Sequence, residues 1–168
     1  LIQHNSNHIN QEEALKETLQ ELEKSDAPIL AILAGAETGI DLADRLATRF
    51  GVRTNGELTL DSRKSKFNVQ ETLRNAGLKS TAQVLCRSEG EVLQFVESVK
   101  ARGGDGRCVI KPNQSAAGDS VTLCHNTEEA VAAFHAIHGQ INGLSKINDG
   151  ALCQEYLDGT EYIVDGVS

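Results

Sequence analysis

The stretch "RCVIKPNQSAAGDSVTL" (107–123) sets one lysine at the end of an apolar run and follows it with a loop of small residues. Lys111 ends a predicted strand, Pro112 cannot continue the ladder, and Ser115, Ala116, Ala117 and Gly118 let the backbone approach a ligand closely. The loop offers N–H donors and the lysine offers charge, which together suit a phosphate group. It is not a Walker A loop, because the lysine precedes the loop and no GKS or GKT is present. An ordinary hairpin with a solvated lysine at its base fits the same residues.

A second stretch, "QEYLDGTEY" (154–162), combines a strand-like run, an Asp158–Gly159 turn and the carboxylate of Glu161 just beyond it. A carboxylate there can accept both hydroxyls of a ribose. A strand edge presents one N–H and one C=O, which suits the edge of an adenine ring. A surface hairpin with acidic decoration also fits. Ile163, Val164 and Val167 predict a further strand after the turn.

Other groups weigh less. His135 and His138 are three apart on a predicted helix, a spacing that can hold a metal, yet no third ligand is near in sequence. The four cysteines, Cys86, Cys108, Cys124 and Cys153, form no C-x-x-C pair, and each sits in a short apolar run. They read as small buried strand residues in a reducing, cytoplasmic setting. Glu37, in "GAETG", either faces a substrate amine or simply begins a helix. "GGDG" (103–106) is a turn.

The elements that position these residues follow from pattern. Hydrophobic residues make up 39% and charged residues 24% of 168 residues, an ordinary globular mix for one large or two small domains. The net charge of −8, with dispersed basic residues, argues against a nucleic-acid or anionic-membrane partner. It leaves room for a small anion held by a few lysines. No run approaches the ~20 apolar residues that span a bilayer. The chain begins with Leu and contains no Met, which fits a piece of a longer chain truncated at both ends.

"QEEALKETLQELEK" (11–24) predicts a helix with Ala14, Leu15, Leu19 and Leu22 as its apolar stripe. "PILAILAG" (28–35) predicts a buried strand of a parallel sheet, and 37–51 a helix capped by Thr38 and stopped at Gly51. Residues 61–77 predict one helix, capped by Asp61 or Ser62, with Phe67, Val69 and Leu73 inward and Gly77 as its stop. Strands at 83–86, 107–111, 121–124 and 151–157 alternate with helices at 88–103 and 127–139. The loop 139–150 is Gly/Asn-rich and reads as mobile.

In this order and spacing, "VIKP…SAAGDSV", a helix with "TEEAVAAF" and "CQEYLDGTEYIVD" resemble the ATP-grasp ligases. The nearest resemblance is to the carboxylate–amine branch that includes the L-amino-acid (dipeptide) ligases. "LAGAETGIDLADRLATRFGVRTNG" resembles that branch's preceding α/β domain, so the likeness spans roughly residues 28 to 168. It implies an α/β chain: residues 1–60 as part of a wound pre-ATP-grasp domain, and 61–168 as the first part of the ATP-grasp domain, with a lid at about 82–157.

The same resemblance implies roles. Lys66, eleven residues before Gly77, takes the place of the first nucleotide-binding lysine. Lys111 matches the second, which reaches the phosphates from the lid and is the catalytic candidate, with Ser115 and Gly118 in the phosphate loop. Gln154, Glu155 and Leu157 match the adenine hinge, and Glu161 the ribose carboxylate. The branch has Gly where this chain has Ala117 and Ser120.

The implied ligands are ATP and Mg²⁺, with the metal ligands expected beyond this sequence. The implied substrates are a small carboxylate and an amine, with no nucleic acid and no membrane partner; a homo-oligomer stays open. The second reading, favoured by the altered loop, is a non-catalytic nucleotide-binding or regulatory module.

Overall fold

The computed structural model describes residues 11–56, 59–115 and 118–164. The chain divides into two compact units, Leu1–Arg63 and Lys64–Ser168.

The first unit is helical. Helix α1 spans Gln11–Glu23 and α2 spans Ile40–Arg49, entered through a 3₁₀ turn at Glu37–Gly39. Leu15, Leu19 and Leu22 of α1 are half-buried, as their spacing requires. Thr38 does not cap α2: the residue before the helix is Gly39, which offers no side chain. The 3₁₀ turn places Thr38 inside helical backbone, where its hydroxyl cannot reach the first turn of α2. At the other end Gly51, at φ 63°, completes a Schellman stop, with Gly51 N bonded to Thr48 O and Val52 N to Ala47 O. Asp44 is buried on α2 and accepts from Thr54 Oγ1 (2.7 Å) and Arg63 Nη2 (2.7 Å), which ties down the connection that follows.

The apolar run 28–35 forms no strand. Leu30 and Leu33 are 83% and 87% exposed. A strand needs a neighbour for its backbone groups, and among the described residues nothing pairs with this segment.

The single helix expected over 61–77 is two. Helix α3, Asp61–Lys64, ends at Ser65, which then caps α4, Lys66–Asn75. Gly77 stops α4 at φ 72°, with Gly77 N bonded to Arg74 O and Leu78 N to Leu73 O. Phe67, Val69 and Leu73 are half-buried rather than core.

Strands β1 (Gln83–Cys86), β2 (Cys108–Lys111), β3 (Thr122–Cys124) and β4 (Ala151–Glu155) form one antiparallel sheet in the order β1-β4-β2-β3. Helices α5 (Glu89–Ala101) and α6 (Thr127–Ile137) pack on one face. The caps follow from "SEGE" and "NTEE". Ser88 Oγ accepts from Glu91 N while Glu91 Oε2 accepts from Ser88 N (3.0 Å), and Asn126 Oδ1 accepts from Glu129 N (2.8 Å).

Strand alternation assigns the two faces. Cys86, Cys108, Ile110, Cys124, Ala151 and Cys153 meet Val92, Phe95, Val96, Phe134 and Ile137 in the core. The opposite face carries Gln83, Leu85, Val109, Lys111, Leu123, Leu152 and Gln154. The register brings Lys111, Leu152 and Leu85 into one row, and Val109, Gln154 and Gln83 into the next.

β4 ends at Glu155, and the expected strand after the Asp–Gly turn is not present in 161–164. Tyr162, Ile163 and Val164 are more than 80% exposed, with no described neighbour to pair them. Val167 lies outside the described residues. The loop 139–150 is built around two buried asparagines, Asn142 and Asn148.

The entry to β4 leaves no room for a side chain. A Cβ on Gly150 would stand 2.6 Å from Cys86 O and 3.3 Å from Arg87 Cγ. Gly150→Ala is expected to lower unfolding stability by about 1–3 kcal/mol, because backbone at the β1 end must shift. A urea midpoint equal to that of the unaltered chain would contradict this packing.

Candidate nucleotide-phosphate site

The first turn of a helix leaves N–H groups without helical partners. In α4 they are met from a distant segment. Asn113, two residues past the end of β2, accepts from Lys66 N through its backbone oxygen (3.1 Å) and from Phe67 N through Oδ1 (2.9 Å). Ser65 Oγ accepts from Asn68 N (3.1 Å) and donates to Asn113 Oδ1 (3.0 Å). Ser65 is buried, so the cap is shielded from water.

The cap brings together two lysines that lie 45 positions apart in the sequence. Lys66 is the first residue of α4, and its ammonium donates to Ser115 O. Lys111 ends β2 on the face away from α5 and α6 and is half-buried. Burial holds its ammonium below the ordinary lysine range, and the nearby positive charge of Lys66 lowers it further.

The loop after β2 is held by its own residues. Asp119 accepts from Ser115 Oγ (2.6 Å), Ser120 Oγ (2.9 Å) and Gly143 N (2.8 Å). The Ser115 hydroxyl, then the Gly143 N–H and the Ser120 hydroxyl, hold the Asp119 carboxyl below its usual range. Gly118 takes φ 72°, and Ser120, where the resembling branch has glycine, takes φ 53°. Ser120 thus sits in a left-handed conformation that favours glycine. Ala116 and Ala117 lie outside the described residues.

The hinge residues are placed as follows. Gln154 is buried and its Nε2 donates to Gln83 Oε1 (2.9 Å); Gln83 Nε2 in turn donates to Phe67 O (2.8 Å) and Glu71 Oε1 (2.9 Å). This chain ties β4 to α4 on the face that carries Lys111. Glu155 Oε1 accepts from Ala82 N (2.8 Å). Leu157 is 66% exposed, and Glu161 is exposed beyond it. Asp158 lies 3.5 Å from Arg107, whose guanidinium covers the Tyr156 ring at 4.6 Å.

The structure therefore brings Lys66, Lys111 and Ser115 together, and it sets Gln154 and Glu155 on the adjoining strand. It does not bring Leu157 or Glu161 to them. Asn113, Ser65, Asp119 and Gln83 were missed from sequence. For Ser65 and Asn113 the signal was a pair of polar side chains in "RKSKFN" and "KPNQS", meaningful once the segments meet.

Weaker candidates resolve into surface features. His135 lies 3.1 Å from Glu89, and His138 stacks on Phe134 at 5.0 Å between ring centres. Among the described residues no group of three or more His, Cys, Asp or Glu side chains could hold a metal ion, and no helix is long and apolar enough to cross a membrane. The side chain of Glu37 lies outside the described residues.

Comparison with known proteins shows likenesses in sequence and in fold. The chain is 35% identical over 141 residues to dapdiamide A synthase of Enterobacter agglomerans, across 83% of this chain and 32% of that protein. It thus spans about a third of the curated relative it matches. Its fold is similar, at a TM-score of 0.61 and 14% identity, to a biotin carboxylase domain. That domain belongs to the 2-oxoglutarate carboxylase of Hydrogenobacter thermophilus, solved as a dimer with MgADP, ADP and bicarbonate. The match covers 90% of this chain and 34% of that one. No family model matches the chain.

Two outcomes follow from this geometry. Lys66→Met keeps the aliphatic stem and removes the charge, so the Lys111 ammonium is expected to titrate closer to 10.5 yet stay below it, because burial is the larger cause. NMR titration of the lysine side chains reads this; an unmoved Lys111 would show that the two charges do not meet. Ser120→Gly is expected to exceed Ser120→Ala in stability by about 1 kcal/mol, since both lose the hydroxyl and only glycine relieves the left-handed backbone. Equal urea midpoints for the two variants would count against the strained conformation.

Proposed function

We propose that this chain belongs to the ATP-grasp superfamily and supplies the phosphate-binding part of an ATP-dependent carboxylate–amine ligase. One observation supports the reading above the others. Two lysines from different elements converge beside a loop of small residues, although like charges repel. A polyanion beside both ammonium groups would relieve that repulsion.

In this reading Lys66 and Lys111 bind the phosphates of ATP, and Ser115 and Gly118 line the loop. Gln154, Glu155 and Leu157 take the adenine and Glu161 the ribose hydroxyls. Gln154 lies on the Lys111 face one pleat beyond Leu152, roughly 7 Å along the strand. Leu85, Val109 and Leu123 add apolar surface on the same face.

The proposed lid is the segment 82–157 of a domain that begins near residue 61, after a partial domain over 1–60. ATP would supply a γ-phosphoryl group that activates a substrate carboxylate as an acyl phosphate, which an amine then opens to an amide with release of phosphate. The chain's own contribution is electrostatic: the lysines neutralise charge on the transferring group and hold it in place. The described residues offer no acidic cluster for Mg²⁺, so no step here runs through the metal. The four buried free cysteines suit a reducing, cytoplasmic setting.

In the full-length protein Lys111→Ala is expected to weaken ATP binding by about 1.5–3 kcal/mol, the value of one charge-assisted contact. Glu161→Gln is expected to weaken ATP binding by about 1–3 kcal/mol and to leave 2′,3′-dideoxy-ATP nearly unaffected, because that ligand has no hydroxyls to donate. Calorimetric titration of both ligands tests this. Unchanged ATP affinity in Lys111→Ala sinks the phosphate assignment, and equal losses for both nucleotides in Glu161→Gln sink the ribose one. Binding without amine-dependent ADP formation would favour a non-catalytic nucleotide-binding module.

A further inference from the structure

The loop 139–150 folds on itself and onto the phosphate-side loop. Gly139 N bonds Asn148 O, Asn148 N bonds Gln140 O, and Asn142 N bonds Lys146 O, each at 2.8–2.9 Å. Asn142 is buried and its carboxamide is fully used. Its Oδ1 accepts from Leu144 N (3.0 Å) and Lys146 N (3.2 Å), while its Nδ2 donates to Asn148 Oδ1 (2.9 Å) and Gln114 O (2.8 Å). Gln114 belongs to the other loop. So does Asp119, which accepts the N–H of Gly143. Lys146 Nζ adds a third tie, to Gln114 Oε1 (3.2 Å).

On the far side of Asp119 stand Ser115 and, through Ser115 O, the ammonium of Lys66. Hydrogen bonds therefore lead from Gly143 through Asp119 to Ser115, and from Asn142 to Gln114, the residue that precedes Ser115 in the chain. The approach is close: a Cβ on Gly143 would stand 3.3 Å from Asp119 Oδ2.

We infer that the loop 139–150 is a latch for the phosphate-side loop, with Asp119 and Asn142 as positioning residues for nucleotide binding. The inference rests on the nucleotide reading above. Asp119 touches no ligand in this account. It fixes Ser115 and the backbone around it, so its loss is felt by the phosphates and not by the base. The same donors hold the Asp119 carboxyl below its usual range, and a carboxylate is a strong acceptor.

The experiment compares a non-hydrolysable ATP analogue with adenosine, by calorimetry on the full-length protein. Asp119→Ala is expected to weaken the ATP analogue roughly tenfold and leave adenosine affinity unchanged. Asp119→Asn keeps an acceptor for Ser115 and Gly143 and is expected to recover most of the loss. Gly143→Ala disturbs the same contact from the other loop and is expected to show the same selectivity, which keeps the test open if Asp119→Ala does not fold.

Unchanged or tighter binding of the ATP analogue by both Asp119→Ala and Gly143→Ala would overturn the latch, as would equal losses for both ligands. Lys111→Ala, measured alongside, separates the two claims. If it weakens the analogue while the latch variants do not, only the latch fails. If it too has no effect, the nucleotide reading falls.

Discussion

The N-terminus of α4 is closed by Asn113, a residue from the segment that follows β2. The rest of the site depends on that contact. Helix N–H groups that find no partner cost free energy when buried, and here one asparagine meets two of them while Ser65 meets a third. Closing the helix in this way fixes where β2 ends relative to where α4 begins. Lys66 and Lys111, the residues at those two points, then have no choice but to share a neighbourhood. The resulting repulsion is a local cost carried by a well-satisfied frame, the usual arrangement at a binding site.

The sheet separates that cost from the stability of the unit. All four cysteines point toward α5 and α6, together with Ile110 and Ala151, and are fully buried. Small side chains let the helices approach the sheet, and burial pushes the Cys108 thiol up to about 12, where it is an inert packing group rather than a nucleophile. The opposite face keeps its one lysine and two glutamines beside Leu85, Val109 and Leu152. The glutamines are not free to face any ligand they please: Gln154 is tied to Gln83, and Gln83 to α4. The strand that would read a base is thus braced by the helix that supplies the first lysine.

The elements of the second unit were legible because their signals are local. Apolar runs bounded by turn residues mark the four strands, and Gly77 marks the end of α4. What escaped was whatever depends on a distant partner. Ser65 breaks the 61–77 helix only because Asn113 arrives to share its cap. Asn142 and Asn148 look like loop composition until each amide is seen to be spent on backbone and on the other. The run 28–35 has the composition of a buried strand and lacks a described partner, so composition alone misplaced it. Asp119 lay in full view inside the phosphate-loop motif, yet its neighbour Gly143 is 24 positions away and gave no sign of the tie.

The central claim is that Lys66 and Lys111 form one anion site whose natural ligand is the phosphate end of a nucleotide. A crystal structure of the full-length protein with Mg²⁺ and a non-hydrolysable ATP analogue tests it most directly. The account predicts phosphate oxygens within hydrogen-bond distance of both ammonium groups, with the base toward the Gln154–Leu157 end of the strand. Nucleotide bound with its phosphates away from either lysine, or with base and phosphates reversed along β4, would contradict it.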